Sequence, residues 1–583
     1  MIVARMQPSR ESFRRIRPGK AVDPPPRRSR RVTIGKEISN MLRLLFLPLT
    51  PRFITLTLSV VGFLLCAIAM KGDLSSAFFP AAIACAALCA LGAHDLLQRE
   101  HAILRAYPIS AHLRFLLEHV RPELRQYFFE DNKDGRPFSR DKRAIVYQRA
   151  KMNIDKRPFG TEIDVYEEGF EWLRHSIAAR PVSHEHFRTR VGGACAQPYD
   201  ISLLNISAMS FGALSRNAIR ALNLGARKGE FAQDTGEGGF SPYHQEAGGD
   251  VVWQIASGYF GCRTREGAFD AEKFAEIATR DQIKMIEVKL SQGAKPGHGG
   301  VLPAAKVSEE IARIRGVPMG EDCISPAAHS AFSTPIELLQ FLAQLRALSG
   351  GKPVGFKLCL GQPWEFLAIC KAMLETGLHP DFIVVDGKEG GTGSAPLEFM
   401  DHIGMPMRDG LAFAHHALIG VGLRDAIRIG AAGKIATGFD MARALALGAD
   451  WCNSARGFMF ALGCIQSLSC HTDRCPTGVA TQDASRGRAL VVSDKAERVR
   501  NFHHATLVAL AELAAAAGLD HPSDFTPEHF CRRISPHEAA TFAELYPAPA
   551  PGAFLYGEMD ARFAAAWRSA RADSFRPASL ALA

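Results

Sequence analysis

Two long stretches of the chain carry no charge. Phe53–Met70 is uncharged, and after a turn holding Lys71, Gly72 and Asp73 a second run extends from Leu74 to Ala93. A helix rises about 1.5 Å per residue and roughly 20 apolar residues cross a bilayer core, so both runs are near spanning length. They predict a two-helix transmembrane hairpin over 53–94, with two buried helices of a soluble protein as the alternative.

Beyond Asp95 the pattern changes twice. Residues 95–197 are charged, with amphipathic spacing in Arg114–Arg121 and Ala144–Arg149, and predict a helical connecting segment. From Pro198, short apolar runs lead into Gly-rich loops and then helical stretches. The strand candidates are Ile201–Ser207, Ile283–Leu290, Val354–Leu358, Phe382–Asp386, Ile427–Ala431 and Asp450–Ser454. Helical patterns fall at Ala218–Lys228, Pro335–Leu348, Pro363–Thr376 and Asp440–Leu447. Strands without alternation, each followed by a helix, predict an α/β fold with a (β/α)8 TIM barrel over 198–500. A doubly wound sheet is the alternative, but no Gly-x-Gly-x-x-Gly opens a helix after a strand. Residues 501–583 are Ala-rich and predict a helical extension.

Charge sharpens this division. The net charge of +9 over 583 residues is concentrated before residue 53, where thirteen Lys and Arg face only Glu11, Asp23 and Glu37. A local basic tail gives no reason to expect a nucleic-acid partner, and residues 1–52 are expected to be disordered. By the positive-inside bias the tail and everything after the second span lie in the cytoplasm, making this a two-pass inner-membrane protein. Thirteen cysteines in such a chain argue against a disulfide framework. Three lie in the spans and seven are scattered, which leaves one group.

That group is Cys464, Cys470 and Cys475, spaced Cys-x5-Cys-x4-Cys and followed by Pro476. Three thiolates this close can wrap one soft metal centre; zinc with His471 as fourth ligand, or inert thiols, are the alternatives. The segment resembles the 3Fe-4S region of glutamate synthases. Other motifs agree in order: Ile206–Ser215, Thr235–Gly239, Gln292–Gly300 and Asp386–Gly393. The resemblance covers about residues 198–486 and points to the stand-alone FMN-binding branch of the family.

The resemblance implies an oxidoreductase that makes L-glutamate by reductive amination of 2-oxoglutarate, with FMN and a 3Fe-4S cluster as cofactors. It implies that Ala208, Met209 and Ser210 line the flavin ring, with Lys357 and Gly391 also against the cofactor. Gly433, Gly438, Arg456 and Gly457 fall in the last two loops, where barrels hold a phosphate on backbone amides. Lys295 and Arg315 match the positions that hold 2-oxoglutarate, with Gln292 as a neutral donor and Glu237 orienting the amine or imine. Three places depart from the family pattern. His298 stands where Glu is usual, Ala432-Gly433-Lys434 replaces an Asp-Gly-Gly run, and Ser325–His329 replaces Ser-Pro-Pro-Pro-His. His415 and His416 are expected to be packed helix residues.

Without a glutaminase domain or a pyridine-nucleotide module in this sequence, nitrogen is expected from ammonia, an amine donor or a partner. Electrons are expected from a ferredoxin-like protein, a flavoprotein or a quinol. The same site could instead serve an FMN/Fe–S amine dehydrogenase or an N-substituted glutamate synthase, a reading His298 favours, or a membrane-tethered electron-transfer subunit.

Overall fold

The computed structural model describes residues 46–71 and 75–578. The basic tail up to residue 45 and most of the turn expected between the spans therefore lie outside the described residues. The chain divides into two units, Met1–Glu130 and Asp131–Ala583, so the segment 95–197 is shared between them.

In the first unit, α1 (Ile54–Ala69) and α2 (Ser75–Leu97) form an antiparallel pair. They approach closely at small residues: a Cβ on Gly92 would lie 2.5 Å from Leu56 Cδ1, and one on Gly62 would lie 3.0 Å from Cys85 Sγ. The second helix runs past the expected end at Ala93 to Leu97, and its stretch Ala77–Leu97 is long and apolar enough to cross a membrane. With 16 residues, α1 is shorter. After the short helix Ala102–Ala106 comes α3 (Ser110–Leu124).

The second unit is built on a closed barrel of eight parallel strands. These are β1 (Leu204–Ile206), β2 (Gln233–Asp234), β3 (Val251–Ile255), β4 (Ile283–Lys289), β5 (Val354–Leu358), β6 (Phe382–Asp386), β7 (Arg428–Ala432) and β8 (Trp451–Ser454). Each pairs with its neighbours in sequence, and β8 closes on β1 through Asn453 beside Asn205. The expected run Ile201–Ser207 is broken at Leu203. Its first half, Tyr199–Ser202, pairs antiparallel with Arg188–Val191, and only its second half is β1. Val191 and Ile201 of that hairpin join Ala232, Val252, Met285, Phe382, Val384 and Trp451 in an apolar cluster that fills the lower barrel.

The helices that matter to the site are α4 (Arg140–Ala150), α5 (Arg216–Gly229), α6 (Ala271–Ala278), α7 (Pro335–Leu348), α8 (Pro363–Thr376), α9 (Met407–Gly420), α10 (Gly438–Ala446), α11 (Arg456–Leu462) and α12 (Val492–Ala516). Local chemistry starts them: Ser215 Oγ accepts from Ala218 N, and Thr334 with Glu337 and Thr437 with Asp440 form capping boxes. His415 and His416 lie in α9 and burial pushes their pKa values down to about 3 and about 4, as packed imidazoles require. The long α12 packs on α4, α5, α10 and α11. The segment after residue 500 also carries strands Phe530–Ser535 and Glu538–Thr541, which complete a small sheet with Glu171–Leu173.

Candidate active site

Above the apolar plug, the upper interior of the barrel is polar. Asp234, Gln254, Glu287, Lys357 and Asp386 come from β2, β3, β4, β5 and β6, and all are buried. Gln254 Nε2 donates to Glu287 Oε1 at 2.6 Å, and Lys357 Nζ lies 3.6 Å from Asp386 Oδ2. Burial and the neighbouring Asp234 push the Glu287 carboxyl well above its usual range. Burial opposes the charge on Lys357, but Asp386, Glu287 and Asp234 outweigh it and hold the ammonium above its ordinary value. Gln254 Oε1 has no partner among the described residues.

The loops after β1, β2 and β4 sit on this floor. Glu237 Oε2 accepts from Lys289 Nζ at 3.1 Å, and the same ammonium donates to Gln292 Oε1 at 2.8 Å. Burial raises the Glu237 carboxyl, yet Lys289, Arg315 and Lys295 together bring it below its usual value, so it is ionised. Its carboxylate rests on Gly300, where a Cβ would come within 2.2 Å of Oε1. Lys295 is 1% exposed, and among the described residues its ammonium makes no hydrogen bond. Burial lowers its pKa to about 8, with Glu237 resisting and Lys289 reinforcing the shift. Glu237, Gln292 and Lys295 are thus brought together, with Lys289 as a fourth member.

Arg315 stands differently. It ends the short helix Glu309–Arg315 and donates to Phe211 O at 3.1 Å and Ser210 Oγ at 3.4 Å. It holds the β1 loop in place and reaches Glu237 by charge. That loop carries Ala208, Met209 and Ser210; the latter two are buried and the first half-buried. The β4 and β6 loops meet with no space between them, since a Cβ on Gly293 would stand 1.7 Å from Gly387 O while Gly293 N donates to Asp386 Oδ2 at 2.9 Å. His298 Nδ1 lies 2.9 Å from Gly299 O, and its ring meets Phe399 edge-on at 5.4 Å. In the departing Ser325–His329 loop, burial lowers His329 to about 4; its neutral ring bonds to Lys289 O and Tyr259 OH.

Across the mouth, Arg456 places its guanidinium 4.8 Å over the Phe138 ring and close against Gly391, and donates to Glu389 O. Burial lowers Arg456 to about 10, with Asp386 and Glu389 resisting. Lys434 stands 5.9 Å over the same ring, its pKa lowered by burial and then by Arg456, Lys142 and Arg136 despite Glu389. Gly433 lies against Met407 at the start of α9. A Cβ on Gly438 would strike Leu510 N of α12 at 2.8 Å, and one on Gly457 would strike Ser454 Oγ at 2.5 Å. Before α10, Ala436 N and Thr437 N both donate to Asp440 Oδ2.

The cysteine loop docks beside the mouth. Gln482 Nε2 donates to Gly212 O and Leu214 O, and Lys306 Nζ to Ala213 O and Ala480 O, which ties the loop to the end of β1. Gln466 exchanges hydrogen bonds with Phe138 N and O, so the loop also holds the ring beneath Arg456. The loop curls through Gln466, Leu468 and Asp473 at φ of 59°, 57° and 62°, a region unusual for residues other than Gly. Burial raises Cys464 to about 12 and also raises Cys470. Burial opposes Cys475 as well, but the Thr477 hydroxyl and the amides of Ala480, Thr477 and Val479 hold that thiol below its ordinary value. The three sulfurs influence one another's charge. Among the described residues, no three His, Cys, Asp or Glu side chains form a group ready for a single metal ion.

The conserved region of glutamate synthase matches residues 184–520, more than half of this chain and all of the barrel. The glutamate synthase large subunit-like protein YerD of Bacillus subtilis is 40% identical over 481 residues, covering 75% of this chain and 91% of that protein. The chain belongs to the glutamate synthase family. An archaeal glutamate synthase (NADPH) of Methanocaldococcus jannaschii is 34% identical over 352 residues, 60% of this chain and 65% of that protein. Among solved structures, a mutant flavocytochrome b2 with pyruvate bound covers 72% of this chain and 88% of its own at 12% identity and a TM-score of 0.39, a level that bears on neither ligand nor reaction. As a glutamate synthase-type protein the chain is an oxidoreductase acting on CH–NH2 donors.

Sequence reasoning missed Lys289, Glu287, Asp234 and Lys306. A signal existed for the first two. In Ile-Lys-Met-Ile-Glu-Val-Lys, charges interrupt an apolar strand near its C-terminal end, where barrel chemistry gathers. Asp234 lies in a strand of two polar residues, and Lys306 is marked by nothing local.

Proposed function

We propose that this glutamate synthase-type enzyme reductively aminates 2-oxoglutarate to L-glutamate at the barrel mouth, with FMN over the polar floor and a 3Fe-4S cluster on Cys464, Cys470 and Cys475. The observation that carries the reading is the buried Lys295 ammonium without a hydrogen bond, next to Lys289, Gln292 and Glu237. An unpaired buried cation beside a second one is unfavourable alone and is relieved by a dianion, which is what 2-oxoglutarate supplies.

The residues fit both cofactors. Arg456 and Lys434 over Phe138 form a cationic pocket that suits the flavin phosphate, and Ala208–Ser210 would lie against a flat ring above Lys357. The three thiols lie close enough to act on one another's charge, and three thiolates on one loop suit an iron–sulfur cluster. Bound, FMN supplies hydride chemistry and the cluster single-electron transfer. The chain's part is to bind and orient: Lys289 and Lys295 neutralise the substrate carboxylates, Glu237 accepts a hydrogen bond from the amine or imine, and Lys295 Nζ keeps its proton below pH about 8. Lys306 keeps the cysteine loop seated on the β1 loop.

Attachment to the cytoplasmic membrane through the α1–α2 hairpin, with the barrel in the cytoplasm, belongs to the same proposal. It is supported by the apolar residues the pair leaves exposed, among them Leu64, Leu65, Ile68 and Ile83. Ammonia or a partner would provide nitrogen, and a ferredoxin-like, flavoprotein or quinol donor the electrons.

Purified full-length protein should show the visible spectrum of FMN and the EPR signal of an oxidised three-iron cluster. 2-Oxoglutarate with ammonia should reoxidise the reduced flavin, and a flavin indifferent to that pair would overturn the reading. One observation favours a second substrate class: His298 and Phe399 make the rim more apolar than a carboxylate would, which suits an N-alkyl amine. Faster reoxidation with methylamine than with ammonia would select it.

A further inference from the structure

The helix α3 of the first unit presents an apolar face that no described residue of its unit covers. On a 3.6-residue period, Leu113, Leu116, Leu117, Leu124, Tyr127 and Phe128 share one side of α3 and its π-helical continuation Arg125–Phe129. Leu116 and Leu117 are 57% and 54% exposed, and Phe128 is 76% exposed. The opposite side is the one that packs, through buried Ala111 and through His112, whose Nε2 lies 2.9 Å from Asp95 Oδ1.

The placement of the helix start is equally specific. Ile109 N donates to Asp95 Oδ2 at 2.9 Å, and Thr55 Oγ1 donates to Pro108 O at 2.9 Å. Asp95 is near the C-terminal end of α2 and Thr55 at the N-terminal end of α1, so α3 begins where both helices of the hairpin end together. That end is basic. Arg52 stands 5.8 Å over the Tyr107 ring, Arg99 lies in the connecting loop and Arg105 in the short helix Ala102–Ala106, and Arg114, which pairs with Glu118 at 2.8 Å, runs with Arg121 and Arg125 along one edge of the apolar face.

We infer that α3 is an interfacial helix that lies in the headgroup layer of an anionic bilayer, its leucine and aromatic face in the acyl boundary and its arginine edge on lipid phosphates. This rests on the membrane reading of the hairpin and adds a third element to it. An amphipathic helix with a basic margin is the form that binds such a surface, and arginines beside it are attracted by anionic lipid. Continuity with the hairpin end and the sign of the edge favour lipid over a second protein.

The test uses full-length protein in nanodiscs, with a photoreactive diazirine amino acid placed in turn at Leu64 of α1, Leu116 and Glu118. Lipid adducts are expected at Leu64 and Leu116 and several-fold fewer at Glu118. Replacing phosphatidylglycerol by phosphatidylcholine should lower the Leu116 yield several-fold and leave Leu64 unchanged. Lipid adducts at Leu64 with only water or protein adducts at Leu116 would overturn the inference while keeping the hairpin. No lipid adduct at either position would overturn both.

Discussion

On the β1–β4 side of the mouth, Lys289 closes on Glu237 and Gln292 while Lys295 is left without a hydrogen bond. On the β6–β8 side, Arg456 and Lys434 share the face of Phe138, a residue from outside the barrel that the cysteine loop holds in place. Both halves gather cations beside carboxylates, with Lys295 buried in the first and Arg456 and Lys434 half-buried in the second. They differ in how the charge is framed. The first half includes an ionised carboxylate that can take a hydrogen bond from an amine, and its cations flank a polar floor. The second has an aromatic platform and a glycine wall at Gly391. On the proposed function, the first would take a small dicarboxylate and the second a phosphate with its flat appendage.

The comparison can be broken most severely where the halves join. Gly293→Ala places a Cβ against Gly387 O, and overpacking of this kind costs about 3 kcal/mol, seen as a lower thermal midpoint with flavin lost. A variant as stable as the wild type would mean the two loops do not meet. Arg456→Ala should weaken FMN binding about 100-fold, in line with truncating a buried charged contact, with little change in the KM for 2-oxoglutarate of the refilled enzyme. Flavin fluorescence titration decides it, and retained flavin with a raised KM would exchange the roles of the halves.

Lys295→Ala should do the reverse, raising the KM for 2-oxoglutarate roughly 30-fold while FMN stays bound, as expected for a lost charge-assisted hydrogen bond. Smallest is the pH effect. Lys295 is protonated below pH about 8, so KM should be flat there and rise two- to threefold as pH climbs through that value, a rise absent in Lys295→Arg. Stability moves the other way. Because burial depresses Lys295 from 10.5 to about 8, the unfolded chain binds more protons between those values and the lysine's penalty is lifted as pH rises. The difference in thermal midpoint between wild type and Lys295→Met should therefore narrow from pH 8 to 10.

Much of this architecture was legible from the chain. Val354–Leu358, Phe382–Asp386, Pro335–Leu348 and Pro363–Thr376 have the bounds their patterns predict, because a strand covered on both faces is an uninterrupted apolar run and a Pro at N1 marks a helix start. The second barrel strand was not legible. Gln233 and Asp234 are polar because Asp234 belongs to the floor of the site, and function overrides the pattern a strand would otherwise show. The first was hidden for another reason: Ile201–Ser207 reads as one apolar run but serves two sheets.

The motifs of the site, their order along the chain and the three cysteines were determined by the sequence alone, since motif spacing is a one-dimensional property. Which charges go unpaired was decided only in three dimensions. Lys295 and Arg315 look alike as cations in Gly-flanked loops, yet one is left without a hydrogen-bond partner and the other is spent on Phe211 O and Ser210 Oγ. Gly438 and Gly457 were placed by motif in the last two loops, and only the fold shows that a Cβ there would strike Leu510 N and Ser454 Oγ. Partnering depends on atoms brought in by strands and helices far apart in sequence, and burial, which sets the energy of each charge, exists only once those elements close around it.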